Sequence, residues 1–357
     1  MMARMSGITL LIALSACSAG ELPDGGDVYL RPSFYTGGMQ TRSIVNGTSS
    51  TTGDGNINQV KLYVTNNTGN AVYTAPDLTG GLSEYTYNGT TWKGSPEIKL
   101  SNVEARIYAF YPETSAVTAG AGGADTHTIP VSVTAGLTFD GGNEWNCNQV
   151  DYLYGSASST TGDAQPVTAS NASGKFDPAI HMQHALAQVV FKMQTASGRP
   201  VDDTYDYVKQ LTLKATTTLF MTGTNGTMLL KDGTLQSLST GVKELTFKPN
   251  PDNTAVKCGT NGSAVVVGYG LVAPLASQPG NGAISLTVLL GKQGTAVTEN
   301  ERELTAVLSN PQWLKGNRYT YTITLSNRSM VVEKVTSEPI KGWNDVSGSG
   351  SLKPEDF

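Results

Sequence analysis

The chain has 357 residues, a formal net charge of −5 and 15% charged residues, which is enough length for two domains of roughly 150 residues each. The absence of a cluster of basic residues excludes a nucleic-acid-binding surface. Thr, Val and Tyr favour strands, whereas the abundant Gly and Asn favour tight turns. The composition therefore predicts an all-β protein with many short strands.

The first residues have the pattern of an export signal. Arg4 precedes a short apolar run, 8–14, that is too short to span a bilayer and leads into Leu14-Ser15-Ala16-Cys17. Small residues before a cysteine are typical of a lipoprotein signal, and several acyl chains on one residue anchor a protein stably. We therefore predict a signal peptide over 1–16 and lipidation of Cys17. The alternative is an ordinary signal peptide that is cut elsewhere and leaves a free Cys17 thiol.

Alternating apolar and polar residues predict strands in the first half of the chain. The first strand is 28–35, and Pro32 confines it to an edge or an irregular position. A loop rich in Thr, Ser, Gly and Asn follows at 36–58. Further strands are predicted at 60–64, 103–112, 151–155 and 184–193, and 113–147 is interpreted as rich in loops. The segment 184–193 also fits a helical period, but its Val-Val-Phe cluster favours a strand.

The second half follows a predicted domain boundary near residue 178. Strands are predicted at 208–215, 227–231, 244–248, 264–267, 283–290 and 318–326. In the last of these, Tyr319, Tyr321, Ile323 and Leu325 alternate with threonines, which predicts that these four side chains share one buried face. No long helical pattern is present.

No catalytic, cofactor-binding or metal-binding constellation stands out in the sequence. His181 and His184 lack the glutamate of a zinc-protease helix, and the Asp- and Asn-rich turns lack the spacing of a calcium loop. No serine lies in a nucleophile elbow. Cys147 and Cys258 are far apart in sequence and are either bonded or separate thiols. We expect no enzyme activity, no cofactor and no metal.

Several segments, taken in order, resemble the fimbrillin-like proteins of the type V pili of Gram-negative gut and oral anaerobes. They are Leu14 to Cys17, Thr41-Arg42-Ser43, Ile57 to Val64, Arg106 to Pro112, Asp151 to Gly155, His184 to Ala187, Trp313 to Leu325 and Ile340 to Trp343. The resemblance implies two tandem transthyretin-like β-sandwich domains, which we place at 17–178 and 179–357. It also implies export to the outer membrane as a lipid-anchored cell-surface protein.

The resemblance further implies how such subunits assemble. An arginine-specific protease removes the first strand, and a strand donated by another pilus subunit fills the groove that is left. Arg31 precedes Pro32, which blocks trypsin-like cleavage, whereas Arg42 precedes Ser43 in a loop suited to proteolysis. Arg42 and Ser43 are therefore the predicted processing site. A possible donor tail begins at Met330 and includes Pro339 and a Gly/Ser hinge at 348–351.

Two other classes of protein remain open at this point. A surface glycan-binding lipoprotein would expose aromatic side chains for stacking on sugars, and Trp145 and Tyr152 are the candidates. A lipid-anchored hydrolase is the third interpretation, because the paired carboxylates of a glycosidase are close only in space and cannot be recognised from sequence.

Overall fold

The computed structural model describes residues 27–36, 57–67, 71–88, 90–120, 126–140, 147–158, 166–198, 205–250, 255–291, 301–308, 312–326 and 329–339. Over these ranges the chain contains strands and turns but no helix, and thus no helix that could cross a membrane. The predicted all-β class is confirmed.

Twenty-two strands are present in the described residues. In the first half they are β1 (Ser33–Thr36), β2 (Gln59–Asn66), β3 (Leu82–Tyr87), β4 (Trp92–Ser95), β5 (Ala105–Tyr111), β6 (Thr128–Val133), β7 (Gly136–Asp140), β8 (Leu153–Ser156), β9 (Val167–Ala169) and β10 (Ala179–His184). In the second half they are β11 (Ala187–Thr195), β12 (Tyr207–Ala215), β13 (Phe220–Leu229), β14 (Leu235–Gln236), β15 (Thr240–Val242), β16 (Glu244–Asn250), β17 (Val256–Lys257), β18 (Val265–Val272), β19 (Ile284–Gly291), β20 (Arg302–Val307), β21 (Asn317–Leu325) and β22 (Met330–Pro339).

These strands form four sheets in the described part of the chain. The first has the order β1-β10-β8-β5-β2-β3-β4, with β9 on β5. A four-stranded sheet, β18-β11-β21-β22, packs with a six-stranded sheet, β20-β19-β12-β16-β7, that also carries β17. The small fourth sheet contains β14, β13 and β15, with β6 on β13. The N-terminal β1 and the C-terminal β22 are both edge strands.

The segment 184–193 divides between two sheets. β10 belongs to the first sheet and β11 to the four-stranded one, and only the fully buried Ala185 and Leu186 separate them. Residues Ala187 to Phe191 are all buried, so both faces of β11 are covered. A strand covered on both faces loses the alternation that marks a half-exposed one, which explains why the segment also fits a helical period.

The four alternating residues of β21 are buried as predicted. Tyr319, Tyr321, Ile323 and Leu325 are at most 2% exposed. The indole N–H of Trp313, also fully buried, donates a 2.9 Å hydrogen bond to the Tyr321 hydroxyl. The described residues form two apolar cores, and the larger one includes this face and extends from the second half of the chain to the first sheet. The smaller core lies on the other face of the first sheet.

Two sequence predictions need correction. The strand predicted at 28–35 is only partly regular, because Tyr29 makes an isolated bridge to Lys99 and only Ser33–Thr36 forms a regular strand. The stretch 113–147, interpreted as loops, contains β6 and β7. β6 pairs with β13 and β7 runs parallel to β16, so strands from before residue 178 complete sheets of the second half. The boundary at 178 itself stays a prediction.

Candidate interaction site at the N-terminal segment

The N-terminal segment, defined as residues 27–36, is held first by main-chain bonds to residues 98–100. The Leu30 N–H donates to the carbonyl of Ile98 at 2.8 Å, and the Leu100 N–H donates to the carbonyl of Val28 at 2.8 Å. This pairing is antiparallel. An extended peptide held in this way uses its backbone for affinity, irrespective of most of its side chains.

The pairing partner changes at Arg31, the residue before Pro32. The Arg31 N–H donates to the carbonyl of Phe176 at 2.6 Å, and the Ser33 N–H donates to that of Pro178 at 3.0 Å. β1 then continues in parallel along β10. Pro32 is buried and lies between these two donors, so its missing N–H leaves no gap in the ladder. The N-terminal segment therefore closes the edge of the first sheet.

Two side chains of the N-terminal segment enter the smaller core. Leu30 is 3% exposed, and its carbonyl accepts a 3.1 Å hydrogen bond from the buried hydroxyl of Tyr85. The ring of Phe34 meets Tyr85 and Trp92 edge to face, with centroids 5.9 and 4.7 Å apart. Gly94 makes room for this arrangement, because a Cβ there would lie 2.7 Å from Cζ of Tyr85. We call the surface that receives Leu30 and Phe34, together with residues 98–100 and β10, the groove.

The groove is apolar, apart from an ion pair at its rim. Lys99 and Asp27 form this pair, and both side chains are more than a third exposed, so it contributes little to stability. Ile98, Leu100 and Ile180 are at most 2% exposed beneath the segment. Apolar burial and main-chain pairing therefore hold the segment in place. The ion pair between Lys99 and Asp27 contributes only to the orientation of the segment.

Stability should fall at alkaline pH because several tyrosine hydroxyls are buried. Burial raises the pKa of Tyr85, Tyr154 and Tyr321 above the ordinary value of 10.0, and the charge of Glu97 raises that of Tyr85 further. Above pH 10 the unfolded chain loses these protons while the folded chain keeps them, which favours unfolding. We expect denaturant midpoints that are level from pH 7 to 8 and fall most steeply above about pH 10. Tyr85→Phe should reduce the fall, and an unchanged slope would contradict this account.

The structure describes the surroundings of all three histidines. Nδ1 of His127 accepts a 3.1 Å hydrogen bond from the Gly120 N–H. Nδ1 of the buried His184 lies 2.8 Å from Oδ2 of the buried Asp151. His181 is half-buried on β10, which lowers its pKa. In the described part of the chain no three His, Cys, Asp or Glu side chains are grouped to hold a metal.

The structure also shows the surroundings of both cysteines and of one of the two residues considered for stacking on sugars. Cys147 and Cys258 are separate buried thiols, and burial raises the pKa of Cys147 to about 11. Tyr152 is 5% exposed, and its hydroxyl accepts a 2.9 Å hydrogen bond from the Ser132 N–H, so it cannot stack on a sugar. Trp145 lies outside the described residues.

The sequence-predicted site residues Cys17, Arg42 and Ser43 lie outside the described residues. β1 ends at Thr36, six residues before Arg42. Sequence reasoning found the segment and expected a groove beneath it, but did not identify the residues that line the groove, which come from 85–100 and 176–182. Their one sequence signal is the alternation of Ile98 and Leu100.

Comparison with known proteins agrees with this architecture. The model of the fimbrillin-like family matches residues 41–343. A fimbrial protein from Bacteroides vulgatus is similar in structure, with a TM-score of 0.57 at 14% identity over 89% of this chain and 100% of that one. A candidate cell adhesion protein from Bacteroides uniformis has a TM-score of 0.51 at 16% identity, over 90% and 100% of the two chains. No curated protein matches.

The fold and the family match together define a structural, non-enzymatic class of protein, a pilus or adhesion subunit of the cell surface. The chain belongs to the fimbrillin-like family. The predicted β-sandwich fold and the absence of an enzymatic role are confirmed by that membership and, for the fold, by the similar structures.

Proposed function

We propose that the protein is a pilus subunit that is exported as a lipoprotein through Cys17, cut after Arg42 by an arginine-specific protease, and assembled by strand exchange. The observation that carries the proposal is that the N-terminal segment forms the edge of the first sheet, from which it can separate. This segment lies just before Arg42 in the sequence. The family match begins at residue 41, just after this segment.

Removal of the N-terminal segment would create a strong acceptor. The carbonyls of Ile98, Phe176 and Pro178 would lose their donors, and the hydroxyl of Tyr85 would lose its acceptor. The apolar floor under Leu30 would face water at the same time. Unpaired sheet edges beside exposed apolar surface pair readily with a strand from another chain. A donated strand restores both kinds of contact and extends the assembly head to tail.

The position of β22 restricts which C-terminal residues can serve as the donated strand. Residues Met330 to Pro339 pair along β21 from Leu325 to Asn317, so they already occupy the edge of their own sheet. Donation of β22 would break that ladder, whereas donation of residues after Pro339 would not. The donor tail predicted from Met330 is therefore reduced to residues 340–357.

The processing step is tested by native digestion with an arginine-specific protease. The wild-type chain should be cut after Arg42 and then form ladders that resist mild denaturant, whereas Arg42→Ala should remain uncut and monomeric. Arg31→Ala is the matched control and should behave as wild type, because the bond before Pro32 resists cleavage. Cleavage at Arg42 that leaves only monomers at high concentration would argue against strand exchange.

The lipid anchor has its own test. In cells, Cys17→Ala should abolish incorporation of a fatty-acid probe and release the protein from the membrane fraction, since no other residue of the predicted signal offers the thiol. Ser15→Ala is a matched control that keeps Cys17 and a small neighbour. Labelling of the Cys17→Ala protein would show that the anchor has been placed at the wrong residue.

A further inference from the structure

We infer that the protein binds a neutral sugar ring, as one unit of a hexose polysaccharide, on the exposed rings of Tyr87 and Trp92. We call these two residues the ring pair. The inference adds a binding activity to the proposed function, and it depends neither on cleavage nor on strand exchange.

The ring pair lies at the tip of the hairpin formed by β3 and β4. Tyr87 and Trp92 are directly opposite each other in the ladder, and their ring centroids are 5.4 Å apart with 41° between the planes. Tyr87 is 41% exposed and Trp92 is half-buried. Rings of Tyr and Trp combine an apolar face with a polar atom, so they suit a ligand that has both kinds of surface.

The surrounding structure fixes the ring pair in position. Oδ1 of Asn88 accepts hydrogen bonds from the N–H groups of Thr90 and Thr91, at 3.0 and 2.9 Å, in the turn that joins the two strands. The ring of Phe34 packs edge to face on Trp92, with centroids 4.7 Å apart. A ligand that stacks on rings held in this way does not have to order them first, which favours binding.

The size of the ring pair selects a small ligand. Its two partly exposed rings offer on the order of 100–200 Å² to a partner, whereas a stable protein–protein interface covers about 800 Å² on each side. A pyranose ring has C–H groups on its faces and hydroxyl groups around its rim. It can therefore stack on an aromatic ring while its hydroxyl groups stay hydrated, and its size matches the exposed area.

The charges of the hairpin favour a neutral sugar. Its only charged residues are Glu84 and Lys93, which have opposite signs. Side chains alternate between the two faces of a strand, so both lie on the face opposite to the ring pair. Glu84 there accepts a 3.4 Å hydrogen bond from Nε2 of Gln59. The face with the ring pair thus lacks the cation from this hairpin that an acidic sugar would need.

The inference is tested by affinity electrophoresis of the full-length, uncut protein, in which Phe34 stays beside Trp92. Native gels contain mixed-linkage β-glucan, galactomannan or soluble starch at increasing concentration. At least one of these polysaccharides should retard the wild-type protein. Tyr87→Ala and Trp92→Ala should each raise the dissociation constant by about fivefold or more, because each removes a ring on which the sugar stacks.

Two further variants separate stacking from other effects. Phe176→Ala is the matched control, since Phe176 is also an aromatic residue and is 40% exposed, and it should bind within about twofold of wild type. Tyr87→Phe keeps the ring and should also bind within about twofold. Because Tyr87 is exposed, its variants stay folded even where Trp92→Ala does not, and thermal midpoints check this.

Three results would overturn the inference. They are the absence of retardation by all of the neutral polysaccharides, wild-type affinity in Tyr87→Ala, and a loss in Tyr87→Phe as large as that in Tyr87→Ala. Retardation by polygalacturonate alone would also overturn it, because the ligand would then be acidic. None of these results bears on strand exchange, which is tested separately with Arg42→Ala.

Discussion

Leu30→Asp should release the N-terminal segment from the groove without proteolysis. The Leu30 side chain is 3% exposed within the smaller apolar core, and a carboxylate there would have no partner to offset its lost hydration. The main-chain hydrogen bonds that join Val28 and Leu30 to residues 98–100 also depend on the burial of Leu30. We expect the Leu100 amide, which is bonded to the Val28 carbonyl, to lose hydrogen-exchange protection by about 100-fold or more.

The matched control for this variant is Arg31→Asp. It introduces the same carboxylate at the adjacent, exposed position and keeps the N–H that bonds to Phe176. The control should leave the protection of Leu100 within about twofold of wild type. Under the proposed function, the Leu30→Asp protein should also form ladders without a protease. Wild-type protection in Leu30→Asp would show that side-chain burial does not retain the segment.

Phe191→Ala should cost about 3–5 kcal/mol of unfolding free energy, from lost burial and the cavity that remains. Phe191 is fully buried on the central strand β11. Its ring packs against Phe247 at 5.3 Å and against Tyr321 at 5.6 Å, so it joins the four-stranded and six-stranded sheets. Such a loss is a large part of the 5–15 kcal/mol that stabilises a typical domain.

Denaturant unfolding followed by tryptophan fluorescence measures the effect of Phe191→Ala. Val307→Ala is the control, since Val307 is 61% exposed on the edge strand β20, and it should change stability by less than about 0.5 kcal/mol. A loss below about 1 kcal/mol in Phe191→Ala would mean that the two sheets do not depend on this contact.

The alternation of apolar and polar residues predicted the strands that have one buried face and one more exposed face. β21 is the clearest, because Tyr321, Ile323 and Leu325 are buried while Thr322 and Thr324 between them are partly exposed. The same alternation exists in β6, where Ile129, Val131 and Val133 are buried. It was hidden there by Pro130, which usually argues against a strand but here lies on the exposed side of the ladder.

Long-range pairing accounts for what the sequence could not predict. β22 contains a register shift beside Thr322 and Ile323, so its apolar residues do not alternate cleanly, and Val331 is 55% exposed. The roles of Cys17 and Arg42 stay predictions, each made from a linear motif. The residues that line the groove were not predictable, because Tyr85, Ile98 and Phe176 meet only once the first sheet has formed.

The short step from β10 to β11 has a mechanical consequence. β10 forms one wall of the groove, only Ala185 and Leu186 connect it to β11, and β11 is joined through β21 to β22. Tension applied to a strand in the groove would thus pass to the C-terminal edge through three ladders and one covalent link. Force directed along paired strands is shared by many hydrogen bonds at once, so this route resists pulling better than one that opens a ladder bond by bond.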